Sequence, residues 1–443
     1  MSVPSEYFQR IISAQNKGKP KGLVSICSSN FKVLEAAISQ AENIEGPLLI
    51  ESTSNQVNQC GGYMDLTPLQ FKEKVHAIAK KYNLPQAKIL LGGDHLGVQP
   101  WPDKPEAEAL EKGCRMVHDY ARAGFSKIHL DASIPLRDDD SLDPETVFAR
   151  TASLCRAAEE GFAARKKNNP QASPPVYVIG SEVPFPGGDF QANAGPEVTS
   201  RQDLDRTISV AEKHFADNNL DEAWQRVVAI VVQTGVEFEK YDIYDYDSSE
   251  FQVLTEMLQN DGRFVFEGHS SDYQRPGELK KMVSDRIAIL KVGPALTFAL
   301  REALFSLEMM EKELLNDGAG RGDQNGLSNF SELLDREMQQ DPGDWEKYYQ
   351  GSEPEQRLAR KYSYFDRCRY YISRDIIQQA ADRLLGNLAA REIPLPLVSQ
   401  YLPQQYRRIR QGELSPNPEE LIKDHILETL TPYFKAADQY IPE

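Results

Sequence analysis

The stretch Ile89-Leu90-Leu91-Gly92-Gly93-Asp94-His95 decides how this chain is read. It begins as a short apolar strand and ends by delivering a carboxylate and an imidazole together, one a proton-transfer group and the other a metal ligand. A lone tip of this kind is also what a buried strand shows where it meets solvent. Here the pattern recurs. Leu48-Leu49-Ile50-Glu51-Ser52, Ile128-His129-Leu130-Asp131, Val176 to Glu182, Val228 to Gln233 and Phe264-Val265-Phe266-Glu267-Gly268-His269 all run from apolar starts into polar or reactive ends. With Leu23 to Cys27 and Ile287 to Val292 they make eight candidate strands.

Helix-length segments with apolar positions at helical spacing lie between them, including Phe31 to Asn43, Pro68 to Tyr82, Ala107 to Ala123 and Pro144 to Lys166. Strands that are apolar on both faces and alternate with helices call for a parallel sheet covered by helices. An open doubly wound sheet gathers its chemistry at one switch point, whereas nearly every strand here ends on a polar group. The expectation is therefore an α/β protein with a (β/α)8 TIM barrel over residues 1–315. Thr67-Pro68-Leu69-Gln70 predicts a capped helix start, and Gly124 a helix stop.

The break Asn316 to Gly326 predicts a linker, and residues 316–443, rich in charge and tyrosine, predict a helical C-terminal extension. In that extension Arg367 or Arg369 either serves a structural or oligomer surface or reaches a substrate phosphate, a group that arginine suits geometrically.

Composition excludes several classes. The chain has 443 residues and 40% hydrophobic content, enough for a large core. Its net charge of −17 and the lack of a basic cluster argue against nucleic acid. Five dispersed cysteines, Cys27, Cys60, Cys114, Cys155 and Cys368, read as free thiols in a reducing compartment. The start has neither a basic nor an apolar leader, and no run approaches the ~18 apolar residues of a membrane span. A cytoplasmic protein with no membrane association is expected.

The histidines narrow the site. His76, His118, His214 and His425 sit in helical patterns among charged neighbours and read as surface groups. His129 and Asp131 share one face of a strand, which is either barrel interior or site. His95 and His269, at strand ends, are the expected metal ligands, with Glu182 and Glu267 supplying oxygen or acting as acid/base. This mixed donor set suits a divalent Zn, Mn, Co or Ni. Expected substrate contacts are Glu51, Asn58, Asp131, Gln233, Ser270, Ser271, Lys291 and Gly293. Ser270, Ser271 and Gly293 occupy the strand-seven and strand-eight corner where barrels bind phosphate, although Gly293 reads equally as a plain turn and Ser270 as a helix cap.

Four longer runs, Glu51 to Tyr63, Gly92-Gly93-Asp94-His95-Leu96-Gly97, Ala123 to Ser133 and Lys291 to Ala303, resemble the GatZ/KbaZ-like family of tagatose-bisphosphate aldolase accessory subunits. Ser399-Gln400-Tyr401-Leu402-Pro403-Gln404-Gln405-Tyr406 in the extension is similar to it too. The resemblance implies a class II aldolase-like barrel, and members of the family have been described as non-catalytic stabilising subunits, tagatose 6-phosphate kinases and ketose 4-epimerases. No Gly-x-x-x-x-Gly-Lys-Ser/Thr loop supports a kinase, and no dinucleotide fingerprint implies a nucleotide cofactor.

Asp94-His95 matches the aldolase pair in which histidine binds metal and aspartate exchanges the C4 hydroxyl proton. Glu267-Gly268-His269-Ser270 departs from the aldolases' His-Gly-Gly-Ser, and Gln233-Thr234-Gly235 stands where a strand-six histidine is missing, which counts against ordinary bisphosphate aldolase activity. Inverting C4 of a ketose by retro-aldol cleavage fits what remains. Asp94 takes the C4 hydroxyl proton, the C3–C4 bond breaks, the metal steadies the enediolate, and the aldehyde turns its other face before the bond reforms. The expectation is a metal-dependent C4 epimerase interconverting D-tagatose and D-fructose or their 6-phosphates, in a homo-oligomer. The alternative is a non-catalytic partner that stabilises a tagatose-1,6-bisphosphate aldolase catalytic subunit.

Overall fold

Apolar runs such as Leu23–Ile26 and Ile287–Val292 are buried residue after residue, as strands covered on both faces must be. In a computed structural model describing residues 4–181, 183, 195–315 and 326–441, eight parallel strands close into a barrel in sequence order. They are β1 (Leu23–Cys27), β2 (Leu48–Thr53), β3 (Ile89–Gly97), β4 (Lys127–Asp131), β5 (Val176–Ile179), β6 (Val227–Val231), β7 (Val265–Gly268) and β8 (Ile287–Val292). The expected (β/α)8 architecture is present. Thr67 caps Pro68–Lys81 through a reciprocal bond with Gln70, and Gly124 ends Glu106–Ala123 at φ +100°.

The barrel interior has two chemically distinct levels. Its lower level is apolar: Leu23, Leu49, Val176, Val265 and Ile289 pack with Tyr7, Phe8, Ile11 and Ile12 from an N-terminal helix, Pro4–Asn16. No helix before the first strand is among the elements expected from sequence, yet the spacing of Tyr7, Phe8, Ile11, Ile12 and Gln15 is that of one buried helical face. Gln15 fastens this plug by donating to the carbonyls of Lys21 at 2.8 Å and Val283 at 2.9 Å. The upper level, toward the C-terminal ends of the strands, is charged.

Beyond Pro294–Leu315 the described chain is helical, and the expected linker, Asn316 to Gly326, lies outside the described residues except for Gly326. The last helix, Pro418–Ala436, packs on Phe31–Ser39, Pro276–Ser284 and Pro294–Leu315. Gln439 then accepts the Val24 N–H at 2.7 Å through its side chain and the Glu45 N–H at 2.6 Å through its carbonyl. The extension shares one continuous apolar core with the outer shell of the barrel. Among the described residues no helix is long and apolar enough to cross a membrane, and all five cysteines are free.

Phe8 is 1% exposed at the centre of the plug. Phe8→Ala is expected to lower stability by about 3–5 kcal/mol, measurable as a reduced urea midpoint with an unchanged slope.

Candidate functional site

The site begins with an irregularity in β3. Gly93 pairs with Ile128 and Leu96 with Leu130, so three steps on β3 match two on β4. In a regular strand Asp94 and His95 would face opposite sides of the sheet. The bulge, with His95 at φ +48°, lets both reach the barrel mouth. Gly92 makes a second provision: a Cβ there would lie 2.3 Å from the Glu51 carboxylate.

β4 presents Lys127, His129 and Asp131 on its inner face, as alternation requires, and β7 with its following residue presents Glu267 and His269. The rings of His95, His129 and His269 form a triangle with centroid separations of 5.1, 4.8 and 5.1 Å. One ligand atom from each, together with one Asp94 oxygen, all lie within 4.8 Å of one another.

The second nitrogen of each ring is already held. His95 Nδ1 lies 2.7 Å from Asp131 Oδ2, His129 Nδ1 lies 3.0 Å from Asp94 Oδ1, and His269 Nε2 lies 3.1 Å from Glu267 Oε1. His129 Nε2 and His269 Nδ1 are buried and have no hydrogen-bond partner. Two orphaned imidazole nitrogens beside a carboxylate fit a divalent metal, with the outer nitrogens oriented by carboxylates as metal-bound histidines generally are. Burial lowers the basicity of His129, partly opposed by Asp94. Burial and then the Lys291 ammonium push His269 well below the usual range. Both shifts favour the neutral rings, and the tautomer decides which nitrogen offers its lone pair: His129 Nδ1 also accepts the His95 N–H at 3.2 Å, and Lys291 Nζ lies 3.1 Å from His269 Nε2.

Below the histidines lies a buried ionic floor. Lys127 Nζ is 2.6 Å from Glu51 Oε1 and 2.6 Å from Glu267 Oε2, and all three side chains are fully buried. Lys291 on β8 pairs with Asp94, lies 3.6 Å from Glu267, and has His269 Nε2 at 3.1 Å. Burial alone would raise the carboxyls of Asp94 and Glu267. His95, Lys291 and His129 hold Asp94 well below the carboxylate range, and Lys127 and Lys291 do the same for Glu267.

Of the residues expected from sequence, Asp94, His95, His269, Ser270, Lys291 and Gly293 line a cavity of about 890 Å³, its open mouth included. Glu267 and Glu51 lie in the floor on Lys127, and Asp131 stands behind His95. Asn58 shapes the loop after β2, accepting from the amides of Cys60 and Gly62. Gln233 caps the turn at Gly235, at 3.0 Å. Ser271 is buried and donates to the Lys291 carbonyl at 2.5 Å. The amides of Gly293 and Ala295, at the expected phosphate corner, both donate to Asp272 Oδ1, at 2.9 and 2.8 Å. Burial raises that carboxyl to about 6. Glu182 lies outside the described residues.

Two participants escaped the sequence reading. Lys127 is not among the expected site residues, although a lysine within an otherwise apolar strand is a signal, and alternation alone places His129 in either the interior or the site. The histidines read as surface groups are half-buried, and three pair with carboxylates: His118 with Asp119, His214 with Glu145 and His425 with Glu302.

Residues 8–438 match the model of the D-tagatose-1,6-bisphosphate aldolase subunit GatZ/KbaZ-like family. The chain belongs to this family. A crystal structure from Sinorhizobium meliloti 1021, described as a probable tagatose 6 phosphate kinase, is 40% identical over 94% of this chain and 100% of that one, with a TM-score of 0.83. Fructose-bisphosphate aldolase from Campylobacter jejuni is 12% identical over 87% of this chain and 93% of that one, with a TM-score of 0.48. This GatZ/KbaZ-like chain therefore carries its imidazole triangle within a family whose description already points to tagatose chemistry.

If His129 is a ligand and Glu267 only orients one, their substitutions separate. His129→Ala is expected to abolish stoichiometric metal after gel filtration, read by elemental analysis. Glu267→Gln is expected to retain it with affinity weakened roughly 10–100-fold; the reverse order would make Glu267 the ligand.

Proposed function

We propose that this chain is a metal-dependent ketose C4 epimerase that works by retro-aldol cleavage and re-addition, interconverting D-tagatose and D-fructose or their 6-phosphates. The observation that carries the reading is the triangle of imidazoles with Asp94 at its edge, beside the cavity at the barrel mouth. His95, His129 and His269 would hold the divalent metal, which when bound supplies Lewis-acid polarisation of the ketose oxygens.

The chain's own groups account for the rest. Asp94 is held ionised by its neighbours and is placed to accept the C4 hydroxyl proton as the C3–C4 bond breaks. It returns that proton when the bond reforms, so no net proton is consumed. The Lys291 ammonium, kept protonated because Asp94 and Glu267 outweigh its burial, faces the charge that develops on the three-carbon enediolate oxygens. Tyr63, Tyr370 and Phe238 line the mouth and exclude water while the aldehyde fragment turns its other face.

The kinase name of the Sinorhizobium relative finds no phosphate-cradling glycine loop in this sequence. The family description favours a second reading, a stabilising subunit of a tagatose-bisphosphate aldolase.

The test is incubation of the metal-stripped chain, then the chain with Mn, Co, Ni or Zn restored, with tagatose, fructose and their 6-phosphates, resolving C4 epimers by chromatography. Metal-dependent interconversion is expected, with Asp94→Asn lowering kcat by roughly 10²–10⁴-fold. No turnover with any pair, together with stabilisation of an added aldolase, would replace the epimerase by the subunit reading.

A further inference from the structure

We propose that Arg369, carried to the barrel mouth by the C-terminal helices, anchors a terminal phosphate on the substrate, so that the chain selects a ketose 6-phosphate over the free sugar. The inference rests on the cavity being the ketose site.

Lys291 and Arg369 are the lysine and arginine that line the cavity. Lys291 is committed to Asp94 and Glu267. Arg369 is not committed in this way. Its Nη1 donates to the backbone carbonyls of Phe365 and, at 3.1 Å, Asp366, while Nη2 donates to the Tyr370 hydroxyl at 3.1 Å. These bonds fix the plane of the guanidinium and leave its Nε–H and one Nη2 proton without a partner among the described residues.

The carboxylate nearest in sequence, Asp366, is engaged by Arg301 at 3.4 Å and by the Thr297 hydroxyl at 2.5 Å. No carboxylate of the described residues forms an ion pair with Arg369. A half-buried, oriented guanidinium that makes no direct ion pair among the described residues favours an anion in the adjacent cavity, and two remaining donors suit a phosphate. Arg367, by contrast, is turned away: it donates to the Asp344 carbonyl and stacks 3.6 Å above the Tyr348 ring.

The usual barrel alternative is closed. A phosphate at the start of Pro294–Leu315 would need the Gly293 and Ala295 amides, and Asp272 already holds both. With Lys291 held by Asp94 and Glu267, Arg369 on the extension side of the mouth is the lining cation in no ion pair among the described residues. This placement serves epimerisation: with the phosphate held, the aldehyde fragment can turn about its C4–C5 bond to expose the other face and still not escape.

The experiment is calorimetric titration of the metal-loaded full-length chain and its Arg369→Gln variant with D-fructose 6-phosphate, D-fructose, a hexulosonate and inorganic phosphate, alongside epimerisation rates. Arg369→Gln is expected to weaken fructose 6-phosphate and inorganic phosphate binding roughly 10–100-fold while leaving fructose unchanged. Equal loss for both sugars, or loss for neither, overturns the anchor; tight hexulosonate binding that depends on Arg369 without phosphate selectivity overturns the phosphate assignment.

If Arg369→Gln does not fold, Arg369→Lys is read in its place, with a smaller but still phosphate-selective loss expected and an unselective loss overturning the proposal. Phosphate-selective binding without turnover would sustain the anchor while removing the epimerase reading. Turnover of the 6-phosphate that is indifferent to Arg369 would do the opposite.

Discussion

Lys127, fully buried between Glu51 and Glu267, is the interaction on which the upper barrel depends. It ties β4 to β2 and β7, strands that are not its neighbours in the sheet, and so sets the barrel's internal spacing at this height. Burying three charges costs several kcal/mol per ion before their attraction offsets it, and a well-packed apolar set of the same volume is often as stable or more so. The floor is therefore better understood as a positioning device than as a source of stability. Glu267 is held by Lys127 from one side and holds His269 Nε2 from the other, which turns His269 Nδ1 toward the other imidazoles.

The second constraint is the β3 bulge. Without it, Asp94 and His95 could not share one site, because adjacent residues of a strand face opposite sides. The left-handed backbone at His95 and at Ser270, φ +48° and +53°, appears at two of the points where strands hand over to the cavity. Such conformations cost of order 1–3 kcal/mol for residues with a Cβ. Here the strain is met by bonds that fix the side chains, His95 to Asp131 among them.

How far the site was legible in the sequence follows from the same physics. The eight strands were readable because burial on both faces makes them continuously apolar, and Asp94, His95 and His269 because they stand where such runs end. His129 was ambiguous because period-two alternation says which side chains face inward but not at which height a barrel changes from packed core to site. Lys127 lies one layer lower still, and its meaning comes from Glu51 and Glu267, 76 and 140 residues away in sequence. The plug helix Pro4–Asn16 shows a clear amphipathic spacing, yet only the closed barrel reveals what it covers. Asp272 was invisible as the group that closes the phosphate corner, since nothing local distinguishes an anion that caps a later helix from one exposed to solvent.

These features bear on whether the barrel mouth is working machinery or an inherited shape. A subunit that only stabilises a partner requires an outer surface and a packed interior, and apolar sets in place of buried charges like Lys127, Glu51 and Glu267 often satisfy both without loss of stability. It has no need of two buried imidazole nitrogens left without partners, each of which carries a desolvation penalty of about 1–3 kcal/mol. Nor has it need of a guanidinium at the mouth that makes no direct ion pair among the described residues. Each of these features is unfavourable in the folded chain by itself and would become favourable if the proposed metal, sugar and anion occupied the places they face. The energetic burden thus falls on the residues that chemistry would use, which supports the catalytic reading over the structural one.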